Sequence, residues 1–458
     1  MTRVPVIVAI GALGVVFLAA CGTREPEKAF TAPATTGSPQ ASTAANRSDQ
    51  GITGPYDVDP SWPKPVSSWP GFEGWTWGST QAVFVESSDR IFVAMRGELP
   101  ELLPQQQQDL NLVHLKGRFG PVAVQFPGTR SNATSDSPGE QGPYPGRVEG
   151  KDYRWEHIIN VYDSQGNLKE ESNTVWKQWD SLFRPADIPA TARGRVHKIL
   201  ISPYDPEKRI WAIDDGNQVI RIFSNDGKKL LKTIGTLRTT TERNAVMTGN
   251  TGRPSLTKQS GPANQTFGRQ TDIAWLPDGT FFVSDGYEET RVVKFDKDGN
   301  FLLAWGERGE AGGNEKRPNY FNTVHGIVID KERRIYANDR GNHRVQIFDE
   351  NGKFLDQWYF GPYAMIYHLY IDAEQQHIWM SDSRGLMLEY DLNGKLLYSW
   401  GAWGVRPGEM WGVHQFGVDK DGNLYTAEVH SGRPQKFVPK PGVDPAKLVG
   451  QPFREAWK

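Results

Sequence analysis

Three histidines, His197, His325 and His414, hold the same place in three short related stretches, VHKILIS, VHGIVID and VHQFGVD, each one residue before the first strand of a repeated unit. Three imidazoles with an open fourth position are the ligand set of a catalytic zinc rather than of a closed structural site. The intervening units carry Thr271 in QTDIAWL and Tyr367 in IYHLYID at that register, so histidine belongs to every second unit. In a closed ring of six, alternate units lie a third of a turn apart, and the three rings would converge on the axis. One histidine at a strand start is more often a packed, hydrogen-bonded residue. Three at one register in alternate units favour a metal.

Such convergence needs a ring of strands, and the rest of the chain reads as one. Unit starts fall near residues 82, 197, 271, 325, 367 and 414, a spacing that suits four-stranded propeller blades with loop insertions. Asp/Asn-Gly turns punctuate the runs, among them DSQGNL, SNDGKK, DKDGNF, DENGKF, DLNGKL and DKDGNL. The DKDG pairs lack the third acid and the closing glutamate of a calcium loop and read as turns. The spacing predicts an all-β, six-bladed β-propeller over residues 69–458. Trp305, Trp358 and Trp400 recur at the ends of blades three, four and five and are expected to fill space between blades. Blade one is split by an insertion at about 99–156, and a polar loop at about 236–266 separates blades two and three. Blade six shows three strands, so a segment near 70–80 is expected to supply its fourth.

With 52 basic and 54 acidic residues among 458, the net charge of -2 gives no electrostatic case for nucleic acid. The single cysteine, Cys21, ends MTRVPVIVAIGALGVVFLAAC. One basic residue, an apolar run from Val4 to Ala20 and the final LAAC resemble a bacterial lipoprotein signal covering residues 1–21, with Cys21 as the lipidated first residue of the mature chain. The run is also short for a spanning helix of about 20 residues. Residues 22–68 are rich in Ser, Thr, Ala and Pro and read as a flexible tether from the membrane-held lipid. Gly22 after the cysteine resembles lipoproteins sent to the outer membrane, which places the protein in a bacterial cell envelope, facing the periplasm in a cell with two membranes.

About fifteen residues after each blade start, the second strand ends in FVAMRG with Arg96, WAIDDG with Asp215, FVSDGY with Tyr287, YANDRG with Arg340, WMSDSR with Ser383 and YTAEVH with His430. Arg96 and Arg340 share this register and belong at the histidine end of the ring. Single blades look like NHL repeats. The ordered set MRG, VHKI, SDGYEETRVVKF, VHGI, NDRGNHRVQIF and VHQF resembles the peptidyl-α-hydroxyglycine α-amidating lyase family over about residues 72–441. That resemblance implies a six-bladed propeller with Zn2+ on His197, His325 and His414, and with Arg96, Arg340 and Tyr287 in the active site. The family's last metal histidine is followed by an aspartate that helps hold a structural Ca2+. Gln415 stands there in this chain, so a calcium would have to be held without that carboxylate.

The residue types suit the implied reaction. Zinc with an open position lowers the pKa of a hydroxyl presented to it, which a carbinolamide, R-CO-NH-CH(OH)-COO⁻, needs before its C-N bond breaks into a primary amide and glyoxylate. Tyr287 would take the hydroxyl proton with Arg340 as its neighbouring cation, and either Arg96 or Arg340 could grip the substrate carboxylate. Each has a structural alternative: Tyr287 as a turn aromatic, the arginines as partners of carboxylates such as Asp339. His114, His157, His343, His368 and His377 lie off the register and read as structural, whereas His430 is near enough to the inner end to remain a candidate. Two other functions fit a propeller: a lipoprotein that binds peptide, glycan or envelope protein without catalysis, and a lactonase-type hydrolase, whose usual acidic and amide calcium ligands differ from three histidines.

Overall fold

Runs of β-branched and aromatic residues form strands, and Asx-Gly pairs turn the chain back on itself. The computed structural model describes residues 51–101, 150–151, 154–183, 196–236, 267–310 and 315–457, and in it these runs build six small antiparallel sheets arranged as a six-bladed propeller. The first strands of the blades are Thr80–Ser87, Val196–Ile201, Asp272–Trp275, Val324–Ile329, Ile366–Ile371 and Val413–Val418. They contact one another around the axis, and each blade's later strands step outward. Six apolar clusters lie between the blades, one for each adjacent pair. The fold is therefore held by blade-to-blade burial repeated around a ring. All described residues belong to one unit, Asn46–Lys458.

The recurring tryptophans are buried in these clusters, and each lies against a turn glycine of the next blade. A Cβ on Gly352 would come 2.8 Å from the Trp305 ring, and one on Gly394 would come 2.5 Å from Trp358. The glycine in DENGKF and DLNGKL thus serves two needs, a positive φ and room for the neighbouring indole. The turn aspartates are occupied by their own turns: Asp296 Oδ1 accepts from the N–H groups of Asp298 and Asn300, and Asp349 Oδ1 from those of Asn351 and Lys353.

Ring closure differs from the expectation. The fourth strand of blade six is Tyr56–Asp59, which pairs with Pro434–Pro439, and not a segment near 70–80. Only four residues are involved, and their signal is carried by Tyr56, fully buried against Trp400 and Phe437 with its hydroxyl accepting from Val449 N–H. Trp75–Trp77 pairs instead with Glu98–Pro100 as a separate ribbon beside blade one. Residues 56–68 therefore belong to the propeller rather than to a tether, because Tyr56, Trp62 and Val66 bury apolar side chains in it. Ser79 and Thr80 hydroxyls donate to carbonyls of Val429 and Glu428, tying blade one to blade six.

The segment ending in Cys21, the stretch 22–50, most of the blade-one insertion and the loop at 237–266 lie outside the described residues. Among the described residues no helix is long and apolar enough to cross a membrane.

Candidate metal centre

A strand in strict alternation cannot turn two successive side chains to one side. At Gln81, His197, His325, Tyr367 and His414 the pairing between first and second strands skips one residue, so each of these stands at a β-bulge. A bulge breaks the alternation and re-aims the bulged side chain. The histidines are accordingly the second residue of their strands, inside the sheet rather than one residue before it as the spacing suggests. Blade three is the exception: its first strand begins at Asp272, and Thr271 precedes it, donating its N–H to the Ser284 carbonyl.

The bulges bring the three imidazoles together in a buried cluster, with ring centroids 4.5 to 5.1 Å apart. Each ring is oriented by the next blade. His197 Nδ1 donates to the Thr271 carbonyl at 2.8 Å, His325 Nδ1 to that of Tyr367 at 2.8 Å, and His414 Nδ1 to that of Gln81 at 2.7 Å. A carbonyl can only accept, so Nδ1 carries the proton in all three and Nε2 keeps its lone pair. Burial, reinforced by the Arg340 guanidinium, holds His325 well below the ordinary imidazole range. Burial, with His197 and Lys198 nearby, does the same to His414. Neutral rings with fixed tautomers are what a divalent metal requires. The candidate ligand atoms lie within 4.8 Å of one another. Tetrahedral zinc at about 2.0–2.1 Å from each nitrogen wants them roughly 3.4 Å apart, so the rings fit after a small inward shift.

Tyr287 closes this cluster from the solvent side. Its hydroxyl lies 3.2 Å from His197 Nε2 and 3.0 Å from His325 Nε2. Gly286 makes the position reachable, because a Cβ there would overlap the Val324 carbonyl at the strand start that carries His325. The Arg340 guanidinium stands 5.2 Å from the Tyr287 ring and 5.5 Å from the Tyr367 ring. Arg96 is buried, and its Nη2 donates to Gln81 Oε1 at 2.9 Å, beside the residue whose carbonyl orients His414. Asp339 is not the partner of either: it takes Arg344 at 2.8 Å.

Two further contacts join this cluster that the residue types at the repeat positions did not announce. The Arg269 guanidinium lies 4.4 Å over the Tyr287 ring and is held by Asp215 Oδ2 at 2.7 Å. Asp215 is on the second-strand register, and Arg269 stands two residues before Thr271, the place held with the same positive φ by Thr323 in blade four and Gly412 in blade six. Tyr367, which replaces histidine in blade five, places its hydroxyl 3.2 Å from His430 Nε2. The candidate His430 is thereby linked to the cluster.

One residue farther along the strands the axis changes character. Lys198 Nζ reaches Asp272 Oδ2 at 2.9 Å and His368 Nδ1 at 2.5 Å, all three buried. Gln415 donates to the Ile199 carbonyl at 3.1 Å. Calcium takes six to eight oxygens. An ammonium, an imidazole and a carboxylate already paired do not make that cage, so these residues do not fit a structural calcium.

The NHL repeat model matches residues 321–348, within blade four. Peptidyl-glycine α-amidating monooxygenase A of Xenopus laevis is 27% identical over 197 residues, 40% of this chain and 20% of that protein. Peptidyl-α-hydroxyglycine α-amidating lyase 1 of Drosophila melanogaster is 28% identical over 226 residues, covering 44% of this chain and 41% of that one. Human NHL repeat-containing protein 3 is 26% identical over 159 residues, 33% of this chain and 39% of its own. The chain thus carries an NHL repeat and is homologous over part of its length to amidating enzymes, and it spans between a fifth and two fifths of the length of these curated relatives.

Proposed function

We propose that this protein is a zinc lyase that splits N-acyl-α-hydroxyglycines or related carbinolamides into a primary amide and glyoxylate. The observation that carries the reading is the convergence of three histidine ring nitrogens within 4.8 Å of one another, with the Tyr287 hydroxyl at 3.0 and 3.2 Å from Nε2 of two of them. When bound, the zinc supplies Lewis acidity toward the substrate hydroxyl. Tyr287 is placed to accept the hydroxyl proton, and the guanidinium groups of Arg269 and Arg340 against its ring favour the phenolate it needs to be. As the C-N bond breaks, its electron pair leaves with the amide nitrogen, the oxygen becomes the aldehyde of glyoxylate, and the proton held by Tyr287 returns to that nitrogen. Arg340, partly exposed at the mouth, suits the substrate carboxylate better than the buried Arg96, whose role is to fix Gln81 and through it His414.

The partial likeness to named amidating lyases supports the same chemistry, and the lipid anchor at Cys21 and the envelope location belong to the proposal. The test is direct. Protein purified without a metal-binding tag and shown by elemental analysis to hold zinc is incubated with α-hydroxyhippurate, and glyoxylate release is followed. Release at a rate well above the uncatalysed one is expected. Zinc-loaded protein that releases none overturns the reading.

A further inference from the structure

Among the described residues, most of the exposed large apolar side chains are scattered. Leu231, Leu302, Leu355, Leu396 and Leu397 sit on the outermost strands, dispersed around the rim, as scattered surface leucines commonly do. Tyr363, Met365 and Trp403 are different, because they stand on loops of blades five and six at the histidine end of the ring, Met365 two residues before Tyr367 and Trp403 beside Trp411. Tyr363 is 80% exposed, Trp403 40% and Met365 38%.

A continuous run of rings connects this patch to the histidines. Tyr367 packs on His325 and His414 with centroids 6.0 and 6.1 Å apart, and its hydroxyl meets His430. His430 lies 5.3 Å from Trp411, and Trp411 lies 5.5 Å from Trp403. The turn at 383–385 braces the outer end: Ser383 Oγ donates to the Tyr363 carbonyl at 3.3 Å, and a Cβ on Gly385 would come 2.8 Å from Trp403 Cα. Packed rings thus join Trp403 to the histidine cluster, and the 383–385 turn holds the backbones of Tyr363, Met365 and Trp403 together. Of the cationic groups around Tyr287, Arg269 is held by Asp215 of blade two, and Arg340 stands between Tyr287 and Tyr367.

We infer that this strip, on blades five and six, binds the N-acyl part of the substrate, so that the protein selects carbinolamides with an aromatic or bulky apolar acyl group. The inference rests on the lyase reading for its substrate class. With the carboxylate turned to Arg340, the acyl group extends toward Trp411 and Trp403, where a flat apolar body gains ring contact and a small polar one gains none. Trp403, Tyr363 and Met365 are specificity residues here, remote from bond breaking.

Binding of unreactive N-acylglycines tests this apart from turnover. Hippurate and N-acetylglycine are titrated by calorimetry into the zinc-loaded protein, the Trp403→Ala variant and the Tyr363→Ala variant, each checked for unchanged melting temperature and zinc content. Hippurate is expected to bind roughly tenfold tighter than N-acetylglycine, with the preference falling several-fold in each variant and N-acetylglycine unaffected. Equal binding of the two ligands, or a preference untouched by both substitutions, overturns the inference. The two readings fail separately: a lost acyl preference with intact glyoxylate release leaves the lyase standing, and a Trp403-dependent preference without turnover leaves the strip standing on an acylglycine-binding protein.

Discussion

At one end of the propeller axis the first strands present His197, His325, His414 and Tyr367, whereas a few residues farther along the same strands they present Val85, Leu200, Ile273, Leu369 and Phe416 around a cavity of about 180 Å³. The C-terminal segment partly covers that second opening: Trp457 Nε1 donates to the Ser202 carbonyl, Arg454 to that of Glu86, and Phe453 packs on Tyr204. This hollow is lined mainly by apolar side chains and by none of the three clustered histidines. Bulges set the difference. They turn His197 and Lys198, successive residues of one strand, both toward the axis, and so stack a layer of metal-type ligands on a layer of buried charge before ordinary alternation resumes with aliphatic side chains.

The contrast predicts that the two ends respond oppositely to substitution. His325→Ala should abolish zinc retention and glyoxylate release together, while Leu200→Phe in the far cavity should leave metal content unchanged; elemental analysis of both variants checks this, and zinc loss from the cavity variant would break the contrast. Tyr287→Phe should keep its zinc and lose about 10²–10⁴-fold in kcat, measured as glyoxylate release. Retained turnover in that variant would move the proton-transfer role to Tyr367 and His430.

The boundary between the two ends can be probed by stability. Asp272→Ala leaves the Lys198 ammonium buried beside His368 without its carboxylate, and should cost about 3–5 kcal/mol in urea unfolding. A loss below about 1 kcal/mol would mean that Lys198 is neutral in the folded protein. The smallest effect concerns pH. His325 and His414 titrate well below their unfolded value in the metal-free fold, so below about 6.5 the unfolded chain binds more protons than the folded one. Their stabilisation is fully present above that pH and is lost as pH falls toward the folded values, by roughly 1 kcal/mol per histidine for each unit. Metal-free protein should therefore unfold at lower urea at pH 5.5 than at pH 7.5, and replacing either histidine by Asn should flatten that slope.

Much of the site was legible because a propeller repeats its register. Equal position in alternate units brought His197, His325 and His414 together on paper, and the second-strand register picked out Arg96, Arg340, Asp215 and His430. What repetition does not encode was missed. Arg269 stands at a place where Thr323 and Gly412 share its positive φ but not its charge, so the register did not mark it, and Gln81, which shares the histidine position, was hidden because Gln is not a metal ligand and blade one was read as starting at residue 82. The closing strand Tyr56–Asp59 was absorbed into the polar tether, since four residues with two inward side chains make too short a pattern to stand out.

The sequence by itself determined the ring, its six units, its turns and the identity of the residues that meet on the axis, because all of these are periodic and local. Only the tertiary structure decided which Nδ1 finds which carbonyl, that Lys198 of blade two pairs with Asp272 of blade three and His368 of blade five, that Arg269 covers Tyr287, and that Tyr56 rather than a later segment closes the circle. Those contacts join residues tens to hundreds of positions apart. Their geometry is set by blade-to-blade packing, which no single repeat contains.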